Sequence, residues 1–360
     1  EYIKSQPDSV LQPEQSRMLL FQMAFALHVA GDRFAMKHYD VKLLNFFLQS
    51  TSENTGKDEQ SPFTVLRYGI GEHTFNLRME TSRALIAKLA DYGTANVRPE
   101  SDGQPVLLSN FTTLENSPPE FMILGDAAQQ GYGHDYFGLG LCMLQLFTGY
   151  APYEEILEAV TCPKNLKKEL RRIWEDSVHG GYEVIRSVIL GDVYEDEDGN
   201  IEGEPDDTLY DTFYRFIVLF GIPVETVELD EGTRVMKAVK LCLGTKHEKV
   251  KPPRTSRKNN QRIEVGGLDS TQFEIDCKQY SFMHGNDRHI SRARDILQKM
   301  EGGIDLLLDL VSFLPSKRAT ALDVINSKFM APLRKKPDAN MSEYDDEVHS
   351  YMAYSSQPIG

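Results

Sequence analysis

Between Pro13 and Phe34 the positions Met18, Phe21, Phe25 and His28 recur at spacings of three and four, with Leu20, Ala24 and Leu27 widening the stripe. That period predicts a helix over 13–34, buried along a broad face. Residues 1–13 are polar and contain Pro7 and Pro13, so they are expected to be extended. Phe46-Phe47-Leu48 is apolar enough for a short strand, and the polar stretch 50–62, with Gly56 and Pro62, is expected as a surface loop. Phe63–Arg78 alternates in a way that predicts a hairpin turning around Gly69–Gly71. Tyr136–Phe147 is apolar on all sides and too short to span a bilayer, which predicts a helix buried through the middle of a domain and ended by Thr148-Gly149. Further along, Leu166–Trp174 and Tyr182–Leu190 are expected to be helical, Phe213–Pro223 is strongly apolar, and 334–360 is expected to be a flexible polar tail.

Composition narrows the function. With 360 residues and 41% hydrophobic content the chain can bury a real core, as one large domain or two ordinary ones. A formal charge of −15 argues against a broad nucleic-acid-binding surface and against anionic membranes as partners. Cys142, Cys162, Cys242 and Cys277 form no C-x-x-C pair and have no metal spacing, so they are expected as reduced thiols in an intracellular protein, cytoplasmic or nuclear. The sequon Asn110-Phe111-Thr112 is discounted on the same ground. The acidic stretch 194–207 fails as a calcium loop. With Gly199 in the sixth place, the first and twelfth ligands would be Tyr194 and Pro205. It is expected to be a solvated loop, and the basic stretch 246–262 a mobile one; either could dock a partner.

The chemistry concentrates in short motifs. His38-Tyr39-Asp40-Val41-Lys42-Leu43-Leu44-Asn45 resembles the catalytic loop of protein kinases, whose pattern is H-R-D-L-K-x-x-N. Four further stretches follow in the family's order: Asp91-Tyr92-Gly93 resembles D-F-G, and Ser117-Pro118-Pro119-Glu120 resembles A-P-E. Asp135-Tyr136-Phe137-Gly138-Leu139-Gly140 resembles D-x-W-S-x-G, and Leu314–Ala321 resembles D-P-x-K-R-x-T-A. Together they cover about half of the chain, residues 1–153 and 303–330.

The resemblance implies an α+β, mainly α fold: a kinase large lobe over 1–333, with insertions at about 50–80 and about 154–300. It implies ATP and Mg2+ as cofactors and a protein substrate. Asp40 would act as base toward the incoming hydroxyl, Lys42 would offset phosphate charge, and Thr113 would face the substrate. Asn45 and Asp91 would hold metal, while Glu1, Ile3 and Phe47 would border the adenine, the first two as the end of the hinge. Asp135 would pin the catalytic loop, and Arg318 would pair with Glu120. Lys42 favours the serine/threonine class. Tyr39 stands where many kinases carry an arginine that meets a phosphorylated activation loop, so that route of ordering is expected to be absent. Asp91 follows Asp40 by 51 residues, longer than usual in the family, which requires the loop and hairpin at 50–80 to be inserted between two paired strands.

No glycine-rich loop and no strand lysine precede the hinge-like start. The chain therefore resembles a large lobe with little or no small lobe, expected to show little or no turnover by itself. Two other readings stay open: a pseudokinase-like interaction scaffold, and a kinase-like phosphotransferase for a small molecule or lipid headgroup.

Overall fold

The computed structural model describes residues 2–51, 63–97, 116–120, 131–175, 194–195, 201–202, 208–221, 234, 236–237, 239, 270–334 and 348–354. The architecture is mainly helical with small sheets. In chain order the helices are α1 (Pro13–Phe34), α2 (Tyr132–Thr148), α3 (Lys164–Glu175), α4 (Thr208–Phe220), α5 (Ser270–Tyr280), α6 (Arg288–Lys299), α7 (Gly303–Leu310) and α8 (Ala321–Asn326). The strands are β1 (Phe46–Ser50), β2 (Phe63–Ile70), β3 (His73–Glu80), β4 (Leu85–Leu89), β5 (Tyr194–Glu195), β6 (Ile201–Glu202) and β7 (Val348–Tyr354). Among the described residues no helix is long and apolar enough to cross a membrane.

α1 spans the range its period predicts. Pro13 sits in its first turn, where the missing N–H costs nothing, and Phe21, Leu20 and Ala24 are fully buried. α2 is buried almost all round, as an apolar helix with no polar face requires. The two helices pack against each other, with α8 and β4 on α1 and with α6 and α7 on α2. α2 ends at Gly149, whose φ of +85° suits glycine, and a Cβ there would collide with the Ser9 carbonyl oxygen. That close approach accompanies a departure from the expected extended start: Pro7–Ser9 forms a 3-10 turn with Asp8 and Ser9 at positive φ.

β1 pairs with β4 antiparallel, Phe46 opposite Leu89 through Ser50 opposite Leu85. β2 and β3 form the hairpin inserted between them, with the turn at Gly71-Glu72, slightly beyond the predicted centre, and β3 continuing to Glu80. The hairpin packs on α1 through aromatic rings: Phe21 lies 5.3 Å from Tyr68 and 4.9 Å from Phe75, and Phe25 lies 4.8 Å from Tyr68. These contacts anchor the hairpin to the core.

The expectation for the C-terminal stretch is corrected. The stretch 334–360 is not wholly a loose tail, because Val348–Tyr354 joins β2 as a parallel third strand. A strand offers little local signal when its partner lies hundreds of residues earlier. The acidic stretch 194–207 opens with a minimal hairpin, Tyr194 opposite Glu202 and Glu195 opposite Ile201. The helix expected over 182–190 and the basic stretch 246–262 lie outside the described residues.

Candidate active site

The loop from Lys37 to Asn45 is held from three sides. Lys37 exchanges two backbone hydrogen bonds with Asn96, each 2.8 Å. The His38 and Tyr39 N–H groups both donate to the Asp135 carboxylate, each at 2.7 Å. The Thr94 hydroxyl donates to the His38 carbonyl at 2.8 Å. Tyr39 sits at a φ of +62°, a conformation a bulky side chain adopts only when its surroundings impose it. Asp135 projects from the first turn of α2, where the helix dipole favours negative charge. Burial nonetheless pushes its carboxyl up to about 7, against the pull of the two N–H groups and Lys37.

Gly138 explains how the loop comes so near the helix. A Cβ there would lie 2.6 Å from the Val41 carbonyl oxygen, so only a glycine lets the loop backbone rest on α2. Gly140, two residues further on, makes the same allowance for α7, since a Cβ would lie 2.9 Å from that of Leu310.

Asp40 is buried, 4% exposed, at the centre of this arrangement. Its Oδ2 accepts from Asn45 Nδ2 at 2.9 Å and ion-pairs with Lys42 Nζ at 2.9 Å. Asn45 Nδ2 also donates to the Asp40 backbone carbonyl at 2.8 Å. Spending the amide N–H2 on Asp40 fixes the orientation of Asn45 and leaves its Oδ1 as the atom suited to a cation.

Asp91 arrives by the backbone. At the end of β4, Ala90 donates its N–H to the Asn45 carbonyl at 2.9 Å, and His38 Nε2 meets the Ala90 carbonyl at 2.9 Å. Burial lowers the His38 pKa, opposed by the Ala90 bond and by the charges of Asp40 and Asp91. The neutral ring then donates Nε2–H to Ala90, and Tyr92 packs edge-on against it at 5.7 Å. Asp91 itself is exposed, at a φ of +61°.

Asp40 thus contacts both Lys42 and Asn45, and the β1–β4 pair brings the backbone leading into Asp91 to the Asn45 end of the loop despite the long insertion. Phe47 stands on β1, opposite Lys88, and is 63% exposed. Ile3 packs against the core cluster, and its carbonyl accepts from the Gln6 N–H at 3.0 Å, so that carbonyl is already engaged in a turn. Glu1 and Thr113 lie outside the described residues.

Arg318 meets Glu120 through both guanidinium nitrogens, the Nη1–Oε1 contact being 2.6 Å. It also donates to the carbonyls of Ser312, Phe313 and Gly133, and its guanidinium lies 5.1 Å from the Phe137 ring centroid. A cation so fully hydrogen-bonded can stay buried.

Among the described residues no group of three or more His, Cys, Asp or Glu side chains could hold a metal. Asn45 Oδ1 and the exposed Asp91 carboxylate are hard oxygen donors of the kind magnesium takes, an ion that keeps several waters and draws further ligands from phosphates.

Sequence reasoning missed Gln22. On the buried face of α1, its Oε1 accepts from the Tyr68 hydroxyl at 3.1 Å and the Ala87 N–H at 2.8 Å, while its Nε2 donates to the Leu85 carbonyl at 3.1 Å. One side chain therefore ties the inserted hairpin and β4 to the same helix. The available signal was a glutamine inside an apolar stripe.

No family model and no curated protein matches the chain. Among solved structures it is similar to the yeast RNA polymerase II CTD kinase CTDK-1 complex, at 12% identity and a TM-score of 0.40. That similarity covers 91% of this chain, which spans 64% of the length of the matched one.

Proposed function

We propose that the protein transfers the terminal phosphoryl group of ATP to serine or threonine hydroxyls of a protein substrate. The observation that supports this reading is the contact of Asp40 with both Lys42 and Asn45, together with the hydrogen bond from Ala90 to Asn45 that joins the segment leading into Asp91 to that loop.

Asp40 accepts the proton of the attacking hydroxyl as that oxygen bonds to the terminal phosphorus and the bond from that phosphorus to the bridging oxygen breaks, releasing ADP. Lys42, paired with Asp40, orients that carboxylate and offsets charge gathering on the phosphoryl oxygens. Asn45 and Asp91 would hold magnesium, which when bound neutralises phosphate charge and orients the leaving group. Asp135 acts through the backbone, holding His38 and Tyr39 so that Asp40 cannot drift. Small-molecule or lipid acceptors are the alternative the same site chemistry allows.

The test is transfer from labelled ATP to a protein mixture and to lipid vesicles, comparing the native protein with its Asp40→Asn variant. The expected result is labelled phosphoserine or phosphothreonine that falls by about 10²–10⁴-fold in the variant. Labelled lipid would overturn the substrate class. Transfer that survives the substitution would overturn the role of Asp40.

A further inference from the structure

We propose that the outer edge of β2 is a strand-docking site, filled in cis by the chain's own Val348–Tyr354 acting as a detachable clasp. In the three-stranded sheet β2 is central, with β3 on one side and β7 on the other. Arg334 forms a backbone bridge with Phe75 on the edge of β3 facing away from β2, and its guanidinium lies over the Phe75 ring, 5.5 Å from the centroid. Val348 lies opposite Phe63, on the other side of the hairpin. The C-terminal segment therefore grips the inserted hairpin by both edges.

Reach is no obstacle. Crossing from one edge to the other takes about 14 Å, three strand spacings, and thirteen connecting residues can extend about 40 Å. Such a tether gives the strand a high effective concentration at its site.

The pairing is also built to release. It is parallel, the weaker ladder, and its register is interrupted between Arg67 and Tyr68, where Ala353 is an extra residue. The hairpin keeps its own seat on α1 through Tyr68 and Phe75. Vacating β7 would leave the β2 edge with unpaired N–H and C=O groups, which an extended peptide satisfies through main-chain bonds. The consequence reaches the candidate site, because Gln22 joins Tyr68 of the hairpin to Ala87 of β4, and β4 leads directly into Ala90. None of this depends on phosphoryl transfer.

The experiment is hydrogen exchange on the full chain and on a Ser350→Pro/Tyr351→Pro double variant, in which at least one proline removes a ladder donor. A synthetic peptide of residues 345–357 is then added. Protection of 63–70 should fall at least about tenfold in the variant while α2 stays protected, and the peptide should restore it. Unchanged protection would show that β7 is not seated. Loss of protection in α2 as well would make β7 part of the core fold, and loss that the peptide fails to restore would make it a fixed strand. Each of these overturns the proposal.

Discussion

Ala90 and Asn45 are 45 residues apart in the chain, yet the N–H of one donates to the carbonyl of the other at 2.9 Å. This bond closes the β1–β4 pair at the end nearest Asp40. The inserted hairpin leaves that closure intact because it grows from the opposite end, between Ser50 and Leu85. An insertion there costs mainly loop entropy, which rises slowly with length.

Asp135 should be a positioning residue. Asp135→Asn keeps one acceptor but turns an N–H2 group toward a backbone N–H that is already a donor. The expected loss is about 1–3 kcal/mol in urea unfolding, from the unsatisfied buried groups. Transfer should fall while KM for ATP changes little. Unchanged unfolding would mean that the loop finds other anchors.

Gly138→Ala and Gly140→Ala should separate two effects. The first pushes a methyl group against the Val41 carbonyl and so displaces the loop bearing Asp40, which should lower transfer more than stability. The second presses on Val311 and Leu310, costing about 1–3 kcal/mol by overpacking with little direct effect on the loop. Parallel unfolding curves and transfer rates distinguish them.

Breaking the buried pair should be severe. Arg318→Met strands Glu120, and a loss of about 3–5 kcal/mol is expected, with Glu120→Gln/Arg318→Met recovering part of it. A double-mutant cycle from urea midpoints measures the coupling.

His134 sets a pH dependence. Burial holds its pKa down at about 3, helped by the Arg318 charge and by His38 and opposed by Asp40. The unfolded chain binds its proton more readily, so its contribution to stability is complete above about 6.5 and is lost as pH falls toward 3. Asp135, raised to about 7, works the other way: its contribution is present below its ordinary value and is lost as pH rises toward 7. His134→Phe should therefore make stability less sensitive to acid between pH 6 and 4, whereas an unchanged slope would remove His134 as the cause.

Much of this arrangement was legible in the sequence because it is local or motif-borne. The period of α1, the apolar run of α2 and the alternation of β2 and β3 each announce their element. The gathering of Asp40, Lys42 and Asn45 follows from their spacing in a single loop. What escaped depends on distant partners. β7 exists through pairing with β2, and Gln22 matters through Tyr68 and Ala87, neither of which its neighbours in sequence reveal. Gly138 was visible as a motif position, but its reason, the Val41 carbonyl beneath it, required the fold.

The most direct test is titration of ATP into the native protein, with and without magnesium, for the parent, Asp40→Asn and Asp91→Asn forms. Asp91→Asn should abolish the magnesium-dependent part of the affinity, while Asp40→Asn should bind MgATP within about threefold of the parent yet fail to transfer. An Asp91→Asn protein that binds MgATP as tightly as the parent would contradict a shared nucleotide site for Asp91 and Asp40.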